Sequence, residues 1–547
     1  MAAALALVLA LSAAIGAAYF AAARRPPFKG GVNALDFELS RPDALIRSSG
    51  LSRLPPDLLR LPLAKDVLTE DFVDYYEHNE NREALLGVLK RIAYEHRLDL
   101  PEQVLEEVFD APAEVALWRD EGGRLRHFAL AMKLNVLARV VRLLLPLSDA
   151  QLFSAGTLRG APVLVLDYGN RHRLALIAKG DRVVALSDPG MLLKSRDAVQ
   201  DGEKGSDAPG QSENAVEVIA ELLDAAAPVS PFARHFQLDA ALPAQTHEIT
   251  LGLPVFAFAY AQFMPGLKGA RLAFDGAGRW QSSALLDSAT AKQWDASALW
   301  RAMPHGAAFC AAVPVAWQGP MDNFAAWREE VNGETLPDEE KKALGARFEP
   351  LAAACWYEGL RFYTPLFAAQ FKTPLQKDEA RAWLKWTARM TRFGSNAESE
   401  IRDGTGAGFW AWEGGAGAAL AIQAFTLGAG KGEGTRRDFF FFSPDAKLVS
   451  KARDVAAKKY PALADDAQGA DTLLAAIDPK ALAALAQAEV FAALPRNEEA
   501  DFRNAAEVYL IPRLEALAKY PAQRVRLQLP ALSWRDAQWC PLEWSGQ

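Results

Sequence analysis

Strand-like alternation of apolar and polar residues is densest in two stretches that lie far apart in the chain. Residues 161–188, APVLVLDYGNRHRLALIAKGDRVVALSD, read as a strand meander with turns at Gly169-Asn170 and Gly180-Asp181. Residues 417–445, GAALAIQAFTLGAGKGEGTRRDFFFFSPD, read the same way. Both meanders end on a similar phrase, SDPGMLLKSRDAV at 187–199 and SPDAKLVSKARDVA at 443–456. Asp188 before Pro189, and Ser443 before Pro444, predict an N-cap followed by proline in the first helical turn. Leu192, Leu193, Leu448 and Val449 then supply the apolar side of each helix. A helix N-terminus attracts anions, but Asp188 and Asp445 already bring carboxylates there, so the phrase reads as a strand-to-helix junction.

The likeness extends outward. ALWRDEGGRLRHFALAMK (116–133) matches ACWYEGLRFYTPLFAAQFK (354–372), with Trp118 against Trp356; each predicts a hairpin around a turn rich in glycine and acid. Helical periodicity follows both, at 135–145 and 378–392. FMPGLKGARLAF (263–274) resembles LIPRLEALAKYPAQRVRLQL (510–529), and LSRLPPDLLRLPL (51–63) has a looser partner in WRAMPHGAAFCAAVPV (300–315). The matched pieces keep their order, with spacings that differ by loop-sized insertions. The pattern predicts an α+β fold: an internal duplication of a unit of antiparallel strand meanders with packed helices, each unit about 250 residues. The expected division is 36–290 for the first unit and 291–547 for the second.

Ahead of both units, residues 2–23 (AAALALVLALSAAIGAAYFAAA) carry no charge. A helix of that length matches a hydrocarbon core of about 30 Å, which predicts one N-terminal transmembrane helix, a signal anchor over 1–23. RRPPFKGG then begins a linker over 24–35. Arg24, Arg25 and Lys29 follow the apolar run, and the positive-inside rule alone would keep the body in the cytoplasm. The formal net charge of −8 opposes nucleic-acid binding, which needs a basic face. Cys310, Cys355 and Cys540 are too few and too scattered for a disulfide framework or a zinc knuckle. Cys310 and Cys355 could bridge in an oxidising compartment; buried thiols acting as small hydrophobes are the expectation.

LPPDLLRLPLAKDVLTEDFVDYYE (54–77), ALWRDEGGRLRHF (116–128), VVALSDPGML (183–192), ACWYEGLRFYTPLF (354–367) and PLEW (541–544) together resemble the YfaA-like family of bacterial envelope proteins, a domain of unknown function. The likeness covers most of the chain, and its motifs look structural. Members are encoded beside bacterial alpha-2-macroglobulin-like proteins. The resemblance therefore implies a single-pass inner-membrane protein with a periplasmic body and an alpha-2-macroglobulin-like envelope partner. It brings no catalytic residues with it.

Local catalytic signatures are missing. The chain has no GxSxG elbow, no SxxK with KTG and no GxxxxGK[ST] loop. GAGKGEGT (428–435) lacks Walker spacing, and Gly406, Gly408 and Ala411 form a GxGxxA match without the strand and helix a dinucleotide site needs. His78-Asn79-Glu80 has no PCxxC to complete a deaminase zinc site, and the other histidines are His96, His127, His172, His235, His247 and His305, without ligand spacing. No cofactor, metal or catalytic residue is assigned. Trp118 is the only tryptophan before residue 280, and thirteen follow. Phe409, Trp410 and Trp412 are the candidate partner contacts, since tryptophan is favoured at binding hot spots. The function expected is a non-catalytic binding or scaffolding module at the membrane; a periplasmic hydrolase with carboxylate chemistry not visible as a motif is the alternative.

Overall fold

The computed structural model describes residues 35, 38–62, 64, 110–120, 122–134, 152–167, 173–193, 212–224, 229–238, 242–319, 322, 326, 329, 338–390, 401–403, 410–413, 419–427, 435–466, 469–493, 504, 506–529 and 536–546. The anchor and nearly all of the linker lie outside them. Among the described residues no helix is long and apolar enough to cross a membrane. The chain divides into two compact units, Met1–Phe258 with Gly269–Gln281, and Ala259–Lys268 with Ser282–Gln547.

In the first unit the strands are β1 (Ala44–Ser48), β2 (Ala113–Arg119), β3 (Leu125–Lys133), β4 (Leu152–Leu158), β5 (Ala161–Asp167), β6 (Arg173–Lys179), β7 (Arg182–Leu186), β8 (Thr246–Gly252) and β9 (Leu267–Asp275), the first two residues of β9 excepted. Every pairing is antiparallel, in the order β4-β5-β6-β7-β3-β2-β1-β8-β9. The hairpin of β2 and β3 turns at Gly123, whose φ of 78° suits a residue without Cβ. Trp118 is buried, its ring edge-on to Phe232 at 5.7 Å and its indole N–H donating to the Glu38 carbonyl. After β1 come a 3-10 turn and α1 (Leu54–Leu58). Ser212 caps α2 (Glu213–Leu222) by accepting from the Ala215 amide. Ala215, Val218, Ile219 and Leu222 form the buried stripe of α2, spaced three and four apart as a half-buried helix requires.

The second unit holds β10 (Trp280–Asp287), β11 (Ala307–Pro314), β12 (Phe348–Tyr357), β13 (Leu366–Phe371), β14 (Ile401–Asp403), β15 (Trp410–Glu413), β16 (Ala419–Leu427), β17 (Thr435–Ser443), β18 (Leu473–Ile477), β19 (Gln523–Leu527) and β20 (Ala537–Gly546), the first two residues of β10 excepted. Their order is β14-β15-β16-β17-β13-β12-β11-β18-β19-β20, again antiparallel. Add ten to each label of the first unit and the second results up to β19, which β20 and then β10 extend. The β12–β13 hairpin turns at Gly359, also at φ 78°. The helices include α3 (Ser297–Ala302), α4 (Lys377–Met390), α5 (Ala446–Ala456) and α6 (Pro479–Ala493). Trp300 of α3 is fully buried and donates its indole N–H to the Leu473 carbonyl at 2.8 Å. Strict alternation along β11 buries Ala308, Cys310, Ala312 and Pro314, the period of two expected of a strand.

Register ties the sequence matches to the sheet. Leu117, beside Trp118, faces Phe128, and Ala129 faces Leu186, so Phe128 stands opposite Ser187. Cys355, beside Trp356, faces Leu366, and Phe367 faces Phe442, so Leu366 stands opposite Ser443. Two motif pairs matched by sequence alone thus fall on equivalent sheet positions. Two finer expectations change. Asp188 does cap, accepting from the Gly190 amide at 2.6 Å, but in the second unit the cap of α5 is Asp445, not Ser443. Asp445 accepts from the Lys447 amide, while Ser443 accepts from the Asp445 amide and holds the cap in place. The looser match of 51–63 with 300–315 also fails: the first segment follows β1, whereas 300–306 precede β11, which occupies the place of β1. Turn residues alike in composition produced that pairing.

Candidate functional site

Strand pairing in the first unit assembles a buried Ser-His-Asp array from residues far apart in sequence. β1 and β8 set Ser48 opposite His247. Ser48 Oγ lies 2.9 Å from His247 Nδ1, and His247 Nε2 lies 3.0 Å from Asp57 Oδ2 on α1. The imidazole is thus bracketed at its two ring nitrogens by the Ser48 hydroxyl and the Asp57 carboxylate. Arg60 Nη1 donates to Asp57 Oδ1 at 2.7 Å and to the Gly276 carbonyl at 2.9 Å. The His247 ring packs on Phe274 at 5.2 Å.

The residue types and bonds match an activated serine, but access does not. Ser48 is 3% exposed and His247 1% exposed, and Ser48 Oγ already accepts the Gly50 amide. No electrophile can approach Oγ. The array instead fastens α1 to the β1–β8 pair with polar groups that satisfy one another in the core. Beside it, Arg47 pairs with Glu248 at 2.9 Å, both buried. Arg47 also stands opposite Glu114 on β2, and burial pushes the Glu114 carboxyl above its ordinary range despite a hydrogen bond with Ser230. Sequence reading counts His247 among scattered histidines; its partners lie 199 and 190 residues away, and no local spacing could mark them.

In the second unit, Cys310 of β11 faces Cys355 of β12 and the two form a disulfide. This corrects the expectation of buried thiols: both are fully buried, and they are bridged. Cys540 is buried and free, and burial pushes its thiol up to about 11. Among the described residues no cluster of His, Cys, Asp or Glu could hold a metal ion.

Of the expected contact aromatics, Trp410 and Trp412 lie in β15, facing Ile422 and Leu420 of β16 in register. Phe409 lies outside the described residues, as do most of both glycine-rich stretches. Sequence reading passed over a second aromatic pair. At the tip of the β12–β13 hairpin, Phe362 is 43% and Tyr363 66% exposed. Glu489 of α6 holds this tip, accepting Arg361 Nε at 2.8 Å, Arg361 Nη2 at 2.9 Å and the Phe362 amide at 3.1 Å. The Arg361 guanidinium lies 5.3 Å from the Tyr363 ring centre. An exposed aromatic pair on a clamped hairpin has little loop entropy left to lose.

The fold is thus a twofold repetition of one antiparallel α+β topology, with a polar core in one unit and a disulfide in the other. Residues 1–400 and 433–544 match the family described as an uncharacterized protein conserved in bacteria (DUF2138), and the chain belongs to that family. It is 29% identical over 550 residues to the uncharacterized protein YfaA of Escherichia coli (strain K12), covering 94% of this chain and 91% of that one. The resemblance read from the motifs is borne out. No solved structure matches.

Proposed function

We propose that this is an envelope protein, tethered to the inner membrane by residues 2–23, with both α+β units periplasmic, acting by binding rather than catalysis. The Cys310–Cys355 bridge carries the reading. Disulfides form and persist in oxidising compartments such as the periplasm and are rare in the cytosol. That outweighs the basic flank after the apolar run, which alone favours the opposite orientation. The shared strand order supports duplication of one ancestral unit. The clamped Phe362-Tyr363 tip supports protein contact, and the partner suggested by the family resemblance is an alpha-2-macroglobulin-like envelope protein. The hydrolase alternative gains nothing from the Ser48 array, which no substrate can enter.

An alkaline phosphatase fused to the C-terminus tests the compartment: active fusion agrees, and an inactive one places the body in the cytoplasm and ends the reading. In-cell crosslinking then compares wild type with Phe362→Ser/Tyr363→Ser. Loss of a macroglobulin-like adduct in the variant, with unchanged melting, is the expected outcome. Undiminished crosslinking would remove the hairpin tip from the interface.

A further inference from the structure

The second unit contains a cavity of about 380 Å³ where residues 293–301, including α3, lie over β12, β13, β16 and β17. Its charged and amide lining is Gln293, Asp295, Arg301, Glu349, Gln370 and Arg437, with the hydroxyls of Ser297 and Thr435 beside them. Gln370 is the informative residue. It is 7% exposed, its backbone is paired to Phe439 on β17, and its side-chain amide has no hydrogen-bond partner among the described residues. An amide without a protein partner that is not sealed in the core is met by water or by a ligand. Here the amide borders the cavity. Arg301 and Arg437 likewise have no carboxylate partner among the described residues, although Glu349 and Asp295 line the same space.

The mixture of charges selects the ligand. A simple anion would meet two arginines and also two carboxylates, and a simple cation would meet the reverse. Among the described residues no aromatic side chain lines the cavity, so they offer no face on which a nucleobase or sugar ring could stack. Leucines at 299, 351 and 427 provide limited apolar wall. A molecule carrying both carboxylate and ammonium meets both signs of charge: arginines bind carboxylates in a planar fork, Asp295 and Glu349 accept from the ammonium, and Gln370 both donates to and accepts from a peptide bond. We propose that the second unit binds a small zwitterion with a peptide-type backbone, an acidic amino acid or short acidic peptide, in this cavity.

The first unit acts as an internal comparison. In the equivalent register, Met132 faces Val183 where Gln370 faces Phe439. Counting back from the matched serines, Asp181 takes the place of Arg437, and it pairs with Lys133 at 3.6 Å. The polar floor and the cation are features of the second unit alone.

Calorimetric titration of the full-length protein with the dipeptide alanyl-glutamate tests this. The expected result is saturable binding in the micromolar to low-millimolar range, on the order of 1 mM or tighter. Loss of one charge-assisted bond should weaken it at least about ten-fold in Arg437→Gln, and blocking the ammonium in N-acetyl-alanyl-glutamate should do the same. Gln370→Met, the first unit's residue, should also weaken it; if that variant fails to fold, the half-buried Arg437→Gln carries the test. Absence of binding by wild type at about 10 mM dipeptide, or equal binding of succinate, would overturn the proposal. Binding that survives in Arg437→Gln would move the site elsewhere. None of these outcomes bears on the membrane topology proposed above.

Discussion

Breaking the Cys310–Cys355 bridge should lower the stability of the second unit and leave the first untouched. The two cysteines are 45 residues apart in sequence. Closing a loop of that length removes roughly 13 cal/mol/K from the unfolded chain, or about 4 kcal/mol at 25 °C by the chain-entropy relation. Residual structure in the reduced chain lowers the figure, so about 2–4 kcal/mol is expected, or roughly 5–15 °C in the unit's transition. The assay is urea unfolding of the full-length protein, oxidised and after refolding in reductant, followed by tryptophan fluorescence. Thirteen of the fourteen tryptophans lie from residue 280 onward, so the signal reports mainly on the second unit. Cys310→Ala/Cys355→Ala separates the cross-link from the sulfur atoms: reduction keeps the sulfurs in the core, whereas alanine also leaves a small cavity and should cost somewhat more. Oxidised and reduced proteins unfolding within about 0.5 kcal/mol of each other would refute the reasoning. So would mass spectrometry finding Cys310 and Cys355 alkylated in non-reduced protein purified from the envelope.

Three further outcomes follow from the buried groups. His247→Leu removes the link between Ser48 and Asp57 and leaves a buried carboxylate held by Arg60 alone; the first unit should lose about 2–4 kcal/mol, measured by urea unfolding. Glu114 has its folded-state value raised by burial, so between its ordinary value and the raised one the folded protein holds more protons than the unfolded one. Stability should therefore fall as pH rises through that window, and Glu114→Gln should flatten this slope while stabilising the unit at pH 7, read from melting curves across pH 4–8. Cys540, with its thiol pushed up to about 11, should stay unmodified by iodoacetamide at pH 8 in folded protein and react only on unfolding.

The topology was legible wherever local pattern is dictated by the fold. Alternation located the meanders, glycines at 123 and 359 marked the hairpins, and recurrence of the Ser187 and Ser443 phrases revealed that one plan is used twice. The cap at Asp445 was misjudged because serine, proline and aspartate are all plausible at a helix start, and only hydrogen bonds decide among them. The Ser48-His247-Asp57 array and the cavity floor at Gln370 were invisible for a different reason. Their members meet through strand register over separations that leave no spacing to read. The disulfide sits between these cases: the two cysteines were noticed, but only the facing of β11 and β12 brings them side by side.

The position of β10 has a practical consequence for dissecting the protein. Ser282–Asp287 belong to the second compact unit and pair along β20, from Leu542 to Ala537. Expressing the C-terminal half from residue 291 would strip off that strand and bare six residues of β20 backbone. An uncapped strand of this kind recruits whatever strand it meets, so the fragment should aggregate or dimerise edge to edge. A fragment beginning at 282 retains the guard strand and leaves β9 behind with its partner β8, and it is the shorter of the two genes that should fail.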